Sequence, residues 1–364
     1  MRITDIKIAG VSFGALDRPF WNSIVRTTGS GGGRIEIHTD AGVVGMAPCG
    51  ASAVRKAHIL GSIKSKLVGE DPLRIGHLWD RMYMGGTRKP VAKGEYITSM
   101  SAVDNALWDL MGKALGQPVW KLAGGVQDRV AAYAAGGYYE EGKGIPELCA
   151  ELAGYAAAGF RAVKMKVGWR GVTLRHDAER VRAVRDAVGL DVDLMVDANN
   201  AWDAQTALRF GRMIEEFDPY WFEEPVRADD FRGGALLVEK LDVPIASGEN
   251  EFTRWGARDL IDARAADIIQ LDPNMCGGIS EWLKVAALAS AYHLKISPHG
   301  APHVGSCCVA AVDNGLVTEN YPTAFNNPLM KPVDFRADGY IYMSDAPGLG
   351  IEWDEDVFRR HAAR

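Results

Sequence analysis

One pattern repeats along the middle of the chain and restricts its fold more than any other feature. A short run rich in β-branched and aromatic residues is followed by a segment with helical spacing of apolar residues. This pair recurs about eight times between residues 126 and 325. The short runs are RVAAYAAGG, AVKMKVG, VDLMVDAN, YWFEEP, PIASGEN, IIQLDPN, LKISPHG and GLVTEN. Such alternation predicts parallel strands with crossover helices. Eight units favour a closed (β/α)8 barrel of the TIM type, with a doubly wound open sheet as the alternative.

The two ends of the chain differ from this middle part. Residues 1–125 begin with strand-like alternation around the turn TDAG and continue with two helical patterns, the second of which is expected to end at Gly116. Between the first strands, the segment GALDRPFWNSIVRTTGSGGG predicts a mobile loop that serves as a lid. Residues 326–364 contain a strand-like run, GYIYM, which we expect to return to the first region. The three segments therefore predict a barrel with an α+β capping domain formed from N-terminal and C-terminal segments.

Charge and composition exclude several classes of protein. The chain has 41 Lys and Arg against 47 Asp and Glu, a formal charge of −6, whereas a nucleic-acid-binding surface needs a basic surplus. The five cysteines show no CxxC spacing and predict reduced thiols instead of a zinc cluster or a disulfide framework. No apolar run is typical of a signal peptide or approaches the roughly 20 residues of a membrane span. We expect a cytoplasmic protein without a nucleic-acid or membrane partner.

Polar residues end nearly every predicted strand of the repeat. They are Lys164 and Lys166, Asp197 and Asn199, Glu223 and Glu224, Glu249, Asp272, His299, and Glu319. Successive positions lie 20 to 31 residues apart, the length of one strand–helix unit. A single acid at a strand end is commonly only a helix N-cap or a solvated loop residue. Because the carboxyl ends of all barrel strands meet at one face, the repetition predicts one site at that face.

Three of these residues are carboxylates on successive predicted strands. Asp197, Glu223 and Glu249 would repel one another strongly if they were clustered away from water. A bound divalent cation removes that repulsion. Three carboxylate oxygens suit a hard ion such as Mg²⁺ and leave positions for water and substrate. Mg²⁺ is therefore the predicted cofactor.

An ordered set of motifs resembles a known family. VKMKVG, MVDANNAW, WFEEP, ASGEN, QLDPNMCGGIS and SPHG resemble, in this order, the strand ends of the enolase superfamily, mandelate racemase subgroup. The resemblance covers almost the whole chain. It implies that the three carboxylates are the Mg²⁺ ligands, that Lys164 and Lys166 form a Lys-x-Lys pair, that Asp272 and His299 form a dyad, and that Glu319 donates a hydrogen bond to a substrate carboxylate oxygen.

The resemblance also implies a reaction, which begins with removal of the proton α to a carboxylate. Mg²⁺ on the substrate carboxylate would stabilise the enediolate that results. Lys166 is the predicted base, because burial and the like charge of Lys164 both favour a neutral amine and lower its pKa. Asp272 is expected to hold one ring nitrogen of His299 and leave the other free to act. Glu319 is expected to be protonated.

The reaction's outcome depends on His299. If His299 protonates a departing β-hydroxyl, the reaction is a dehydration, and if it returns a proton to the other face, the reaction is a racemisation or epimerisation. The set of residues resembles sugar-acid dehydratases most, which favours a lyase that converts an aldonate or aldarate into a 2-keto-3-deoxy acid. A racemase or epimerase of a 2-hydroxy acid, a cycloisomerase of a sugar-acid lactone, and a catalytically silent barrel are the alternatives.

The predicted lid suggests the kind of substrate. Its polar side chains could hydrogen-bond hydroxyl groups or a second carboxylate, or they could simply face bulk water; they are Arg18, Trp21, Asn22, Arg26, Thr27 and Thr28. We expect a small polyhydroxy carboxylate, with Arg18, Trp21, Asn199 and Glu224 as candidate substrate contacts. His303 has no assigned role. Family members are often oligomers, so a homo-oligomer is expected.

Overall fold

The structure is a computed structural model that describes residues 1–84, 91–322 and 328–361. The N-terminal region forms an antiparallel sheet from three strands, β1 (Ile3–Trp21), β2 (Arg26–Thr39) and β3 (Val44–Pro48). Helical segments follow, namely α1 (Ala53–Lys56), a π-helical turn (Ala57–Ile63), α2 (Lys64–Leu67), α3 (Ile75–Met84), α4 (Glu95–Leu115) and α5 (Val119–Leu122). Helix α4 ends where predicted, because Gly116 adopts φ +65°, a conformation that glycine takes without strain.

The segment predicted as a mobile lid is a β-hairpin. Strands β1 and β2 pair from Ile3 opposite Thr39 to Trp21 opposite Arg26, with register shifts along the way, so only residues 22–25 form the turn. The prediction of a long loop was wrong. The two strands pair through close contact of their backbones, which the pattern of side chains does not show. At Gly31 an added Cβ would lie 2.7 Å from the Val11 carbonyl oxygen, so glycine permits the close approach of the two strands.

The middle of the chain forms the predicted barrel. Its eight parallel strands are β4 (Arg129–Ala135), β6 (Ala162–Lys166), β7 (Asp193–Asp197), β8 (Trp221–Glu223), β9 (Ile245–Ser247), β10 (Ile268–Leu271), β11 (Lys295–Pro298) and β12 (Thr318–Asn320), while β5 (Tyr139–Glu140) pairs with β1. Strand β12 pairs with β4, and a parallel bridge from Ile296 to Gly315 joins the seventh strand to the segment that leads into the eighth. The sheet is therefore closed, and the open doubly wound alternative is excluded.

Helices cover the outside of the barrel. They are α6 (Ile145–Ala157), α7 (Leu174–Val188), α8 (Ala204–Ile214) with a 3₁₀ turn (Glu215–Phe217), α9 (Phe231–Lys240), α10 (Thr253–Asp262), α11 (Ile279–Ala291) and α12 (Pro302–Ala310). Outward-facing residues of the strands, such as Val163 and Met165, belong to the apolar core under these helices. Inward-facing residues such as Met195 and Trp221 belong to a second, smaller cluster. Alternation along each strand thus separates two environments.

The C-terminal segment contributes to both parts of the molecule. Strands β13 (Asp334–Arg336) and β14 (Tyr340–Tyr342) form a hairpin, and β14 pairs with β4 of the barrel instead of joining the capping sheet. Helix α13 (Glu355–His361) then packs against β1, and Arg34 donates two hydrogen bonds to Glu355. The return to the capping domain is therefore made by a helix. The predicted boundary between residues 325 and 326 lies outside the described residues.

Two further observations bear on the sequence predictions. All five cysteines are free. Over the ranges that the structure describes, no helix has the length and apolar character needed to cross a membrane.

Candidate active site

Strand β6 points two lysines into the barrel. Lys164 is fully buried, and its Nζ lies 2.7 Å from Glu223 Oε1 and 2.8 Å from Glu319 Oε1. It also donates a hydrogen bond of 3.2 Å to the hydroxyl of Tyr133. Burial alone would lower the pKa of Lys164, but Glu223 and Glu319 outweigh it and hold the pKa well above the usual value. Lys164 is therefore held as an ammonium group on the inner wall of the barrel.

Lys166, two residues further along, is bonded to Asp197. Its Nζ donates a close hydrogen bond to Asp197 Oδ2, while Asp197 Oδ1 accepts the N–H of Asn199 at 2.8 Å. Burial lowers the pKa of Lys166, yet the Asp197 carboxylate outweighs burial and the repulsion of Lys164, so the pKa is raised. The expectation of a lowered pKa is wrong for this arrangement, because the nearest charge is a carboxylate and not the other ammonium group.

The predicted dyad of the sixth and seventh strands is assembled. His299 Nδ1 lies 3.1 Å from Asp272 Oδ2, and Asp272 Oδ1 accepts the N–H of Asn274 at 2.6 Å. The other ring nitrogen, Nε2, lies 3.5 Å from Glu249 Oε2. The His299 side chain is 26% exposed, unlike the two lysines, so it is open to a molecule that enters the mouth. Asp272 thus holds the ring from one side and leaves Nε2 facing the carboxylates.

Glu319 on the eighth strand is held in its ionised form. Its Oε2 accepts the N–H of Gly300 at 2.7 Å, and its Oε1 faces the Lys164 ammonium group. Burial would raise the pKa of Glu319, but Lys164 and His299 outweigh burial and hold it well below the usual range. The expectation of a protonated Glu319 is therefore wrong for this structure, since the groups around it favour the carboxylate.

The three predicted metal ligands lie on neighbouring strands. Asp197 and Glu223 are opposite each other in the register of β7 and β8, and Glu249 follows β9. Glu223 Oε2 accepts a hydrogen bond of 2.9 Å from Trp221 Nε1, and burial together with Asp197 raises the pKa of Glu223 to about 8. Glu249 Oε2 is buried and accepts no hydrogen bond from any residue that the structure describes.

The two lysines are hydrogen-bonded to two of these three carboxylates. Within the described ranges, no three acidic, histidine or cysteine side chains are grouped so that they could hold a metal ion as they stand. Lys166 donates a hydrogen bond to Asp197, and Lys164 donates one to Glu223. The donor set nevertheless has the chemistry of a hard-cation site, because it offers only carboxylate oxygens, including the Oε2 of Glu249, which no described group hydrogen-bonds.

Two predicted substrate contacts lie at the barrel mouth. Trp21 ends strand β1, and its ring centroid lies 5.7 Å from that of Trp169 in the loop after β6. The Nε1 of Trp21 and the Oδ1 of Asn199 are both buried, and neither has a hydrogen-bond partner in the described part of the chain. The carbonyl oxygen of Asn199 accepts a hydrogen bond of 2.6 Å from the Ser23 hydroxyl, which joins the hairpin turn to the barrel. These two groups remain available to a ligand.

The other two predicted contacts are placed differently. Glu224 is fixed by the side-chain amides of Asn200 at 2.6 Å and Asn250 at 2.7 Å, and burial together with Glu249 raises its pKa well above the usual value. It therefore supports the loops beside the carboxylates. Arg18 is exposed and lines a separate surface cleft with Glu140 and Glu141, so the structure does not bring it to the mouth.

Three buried groups near the lysines, Tyr133, Gln270 and Tyr138, do not stand out in the sequence. The Tyr133 hydroxyl accepts from Lys164 and receives a hydrogen bond of 3.3 Å from Gln270 Nε2. The Tyr138 ring centroid lies 5.2 Å from Lys166 Nζ. Tyr133 shares the inward register of its strand with Ala135, and this alternation was the available signal. Neutral side chains, however, stand out less than charged ones at strand ends.

Comparison with known families agrees with this geometry. Residues 19–124 match the mandelate racemase/muconate lactonizing enzyme N-terminal domain, and residues 147–357 match the enolase C-terminal domain-like family. The chain belongs to the mandelate racemase/muconate lactonizing enzyme family of the enolase superfamily. The predicted fold class and family are confirmed for this family member.

Individual relatives of this family member include several enzymes that act on acid sugars or their lactones. The arabinonate dehydratase of Saccharolobus solfataricus is 36% identical over 338 residues, with 90% of each chain covered. The D-galactarolactone cycloisomerase of Agrobacterium fabrum is 32% identical over 361 residues, with 94% of each covered. Among solved structures, a racemase from Streptomyces coelicolor with bound magnesium superimposes with a TM-score of 0.91 at 29% identity, covering 99% of this chain and 100% of that one.

Proposed function

We propose that this chain is an acid-sugar dehydratase. It removes the proton α to the carboxylate of an aldonate or aldarate and eliminates the β-hydroxyl as water, which yields a 2-keto-3-deoxy acid. The observation that carries this proposal is that two acid–base groups face one carboxylate cluster. Lys166 lies against Asp197, and His299 lies against Glu249. The names of the dehydratase relatives support an acid sugar as the substrate.

We also infer that the three carboxylates hold Mg²⁺. Asp197, Glu223 and Glu249 supply only oxygen donors, and relatives have been solved with magnesium bound. The bound ion supplies positive charge next to the substrate carboxylate, where negative charge develops. If Asp197 were engaged in that site, Lys166 would lose the largest influence that raises its pKa, while its burial and the repulsion of Lys164 would still favour the neutral amine that a base requires.

The residues then divide the reaction between them. The Nζ of Lys166 accepts the proton from C2, and the electron pair of that C–H bond forms the enediolate. The Lys164 ammonium group contacts the substrate carboxylate from the barrel wall. The C3–O bond then breaks as a C2–C3 double bond forms, and His299 Nε2 gives its proton to the departing hydroxyl, which leaves as water. Asp272 holds Nδ1 so that Nε2 faces the substrate. The enol that remains tautomerises to the ketone.

A library of aldonates and aldarates tests the proposal. With Mg²⁺ present, we expect one or a few members to give a keto product that semicarbazide detects. Lys166→Ala and His299→Asn should each lower kcat by about 10²- to 10⁴-fold, the usual contribution of a general base or acid. Lys240→Ala, at an exposed lysine at the end of α9, is the control and should leave kcat unchanged.

Other outcomes of the same screen identify the alternatives. Exchange of the α-proton in D₂O without a keto product would replace dehydration by epimerisation. An NMR time course that shows isomerisation of a lactone without loss of water would favour a cycloisomerase. Two relatives of the chain are named as cycloisomerases. No exchange and no product with any member would contradict an enzyme of this class. The cytoplasmic location and the homo-oligomeric state stay predictions.

A further inference from the structure

A buried cluster lies beside strand β6 and plays no part in the chemistry proposed above. It consists of Tyr139, Asp177 and Arg180, and we call it the Arg180 network. One guanidinium nitrogen of Arg180 donates to the carbonyl oxygen of Lys166 at 2.9 Å and to Asp177 Oδ1 at 2.8 Å. The other donates to the carbonyl oxygen of Gly137 at 3.4 Å. Arg180 therefore connects the end of barrel strand β6 to the loop that follows barrel strand β4.

Asp177 holds the chain on the other side of Lys166. Its Oδ2 accepts the N–H of Gly168 at 2.8 Å, and its Oδ1 accepts the hydroxyl of Tyr139 at 2.7 Å. The Arg180 guanidinium also lies 4.1 Å from the centroid of the Tyr139 ring. The Arg180 network thus binds the backbone both at Lys166 and two residues beyond it.

The network also reaches the capping domain. Tyr139 belongs to strand β5 and pairs with Trp21 at the end of strand β1. The same residue therefore bonds the capping hairpin through its backbone and Asp177 through its hydroxyl. Because the charges of Asp177 and Arg180 are buried and paired, removal of either one would leave the other without its partner.

We propose that Arg180 is a positioning residue for Lys166. Arg180 acts through its hydrogen bond to the backbone carbonyl of Lys166 and does not contact the substrate. The kinetic consequence rests on the proposed function. A reacting group has to be held within a fraction of an ångström, and the supporting contacts set that precision. A loosened strand end would therefore slow proton abstraction more than it would weaken substrate binding.

The same helix offers a matched control. Arg185 lies five residues after Arg180 on α7, and the two are 7% and 6% exposed. Its guanidinium likewise donates to backbone carbonyl oxygens, those of Phe217, Gly189, Val192 and Asp218, at 2.6 to 2.8 Å. None of these residues adjoins Lys166. Arg185→Met therefore removes a buried arginine and its backbone bonds without touching the base.

The kinetic test compares Arg180→Met with Arg185→Met on the substrate found in the screen. We expect Arg180→Met to lower kcat about 100-fold, the cost of a misplaced reacting group, with KM changed less than about threefold. Arg185→Met should leave kcat within about threefold at a temperature where it is folded. Arg180→Lys should restore part of the loss, because an ammonium group still pairs with Asp177. Equal losses of kcat in the two methionine variants would overturn the proposal.

A structural comparison tests the proposal without a substrate. In crystal structures of the two methionine variants, the Lys166 carbonyl and ammonium groups should be displaced in Arg180→Met and unmoved in Arg185→Met. An unmoved Lys166 in Arg180→Met would overturn the proposal, whatever the reaction is. If no acid sugar reacts, the proposed function fails while this comparison still decides the role of Arg180.

A fourth variant covers the case in which Arg180→Met does not fold. Tyr139→Phe keeps the ring against Arg180 and removes only the hydroxyl that Asp177 accepts. We expect it to fold, with kcat lowered about tenfold, a smaller misplacement than loss of the guanidinium produces. An unchanged kcat together with an unmoved Lys166 in this variant would contradict the role of the Arg180 network.

Discussion

Asp104 is a buried carboxylate that accepts its hydrogen bonds from an uncharged residue. It lies in the middle of helix α4, where its Oδ2 accepts the N–H of Ser280 at 2.9 Å and its Oδ1 accepts the Ser280 hydroxyl at 2.7 Å. The close fit extends to Gly278, where an added Cβ would collide with Asp104. Burial raises the pKa of Asp104 to about 7, and the hydrogen bonds from Ser280 only partly oppose it. Ionisation of this group at neutral pH therefore has a cost in stability.

The sign of that cost gives a prediction for Asp104→Asn. In the unfolded chain the pKa of Asp104 has the usual aspartate value of 3.8, whereas burial raises it to about 7 in the folded protein. The wild type keeps the full contribution of this group below the lower pKa and loses it as the pH rises through the higher one. The asparagine variant does not titrate. The free energy of unfolding of Asp104→Asn minus that of wild type should therefore rise between pH 4 and pH 7, by a few kcal/mol in order of magnitude. Above pH 7 this difference should level off.

Urea denaturation at several pH values measures this difference. Asp80→Asn, at an exposed aspartate on helix α3, is the control, and its difference from wild type should stay flat over the same range. A difference for Asp104→Asn that does not change with pH would contradict the raised pKa. Comparison with wild type at each pH removes the contribution of all other carboxylates.

At this scale the sequence predicts identities better than charge states. Charged residues at inward positions of strand ends stood out, because the alternation of a strand assigns them to one face. The charge states of Lys166 and Glu319 did not follow from the same pattern. They depend on which counter-charge is nearest, Asp197 in one case and Lys164 in the other, and that distance is set by the closure of the barrel.

At the scale of elements, the capping hairpin contacts the loops at the barrel mouth. Its turn places the Ser23 hydroxyl on the carbonyl oxygen of Asn199, two residues after Asp197, and both partners are buried. Phe20 packs edge-on against Tyr138 at a centroid distance of 4.8 Å. The hairpin is thus fixed to the loops after the first and third barrel strands and covers one side of the site.

This attachment predicts the effect of Ser23→Ala. Loss of the hydroxyl leaves the buried Asn199 carbonyl without this donor, which should lower the free energy of unfolding by about 1–3 kcal/mol. We also expect a higher KM, because the turn at the mouth is less firmly held, with a smaller change in kcat. Differential scanning calorimetry and steady-state kinetics measure the two effects.

A second serine in the same hairpin serves as the control. Ser30 is exposed on strand β2, so Ser30→Ala should change the free energy of unfolding by less than about 0.5 kcal/mol. If Ser23→Ala were as neutral as Ser30→Ala, the hydrogen bond to Asn199 would contribute nothing to holding the hairpin. The sequence predicts strands at the base of this hairpin but not in residues 14–33, because that part pairs through its backbone and carries no sustained alternation of apolar and polar side chains.

On the scale of the whole molecule, the barrel was predictable and the docking of the cap was not. The repeat of strand and helix carries its own period, and closure brings its strand ends together whatever the helices contain. The cap is held by contacts between distant segments. Asn105 donates to the Pro273 carbonyl oxygen, and Trp79 donates to the Gly277 carbonyl oxygen. Such pairs leave no trace in local periodicity, so only the structure reveals that the cap supports the loop after Asp272.

The charge balance of the barrel mouth leads to the final prediction. Four carboxylates, those of Asp197, Glu223, Glu249 and Glu319, face two lysines and one histidine. With every carboxylate ionised and all three bases protonated, these seven groups carry one negative charge in excess. Asp197, Glu223 and Glu319 are buried, so an excess charge is costly, and burial together with Asp197 raises the pKa of Glu223 to about 8. A divalent cation at the proposed ligands would reverse the excess, so the folded protein should gain stability when Mg²⁺ binds.

Thermal unfolding in the presence and absence of Mg²⁺ tests this. A ligand that binds only the folded state stabilises it by about 2.7 kcal/mol at a concentration 100 times its Kd, so Tm should rise by several degrees after chelator-treated protein is given millimolar Mg²⁺. Glu249→Gln should abolish the rise, because it removes one proposed ligand, whereas Glu216→Gln, at an exposed glutamate in the turn after α8, should retain it. A Tm that does not respond to Mg²⁺, or that responds equally in both variants, would contradict a magnesium site formed by these residues. Since unfolding requires no substrate, this result separates the metal site from the choice among dehydration, epimerisation and cycloisomerisation.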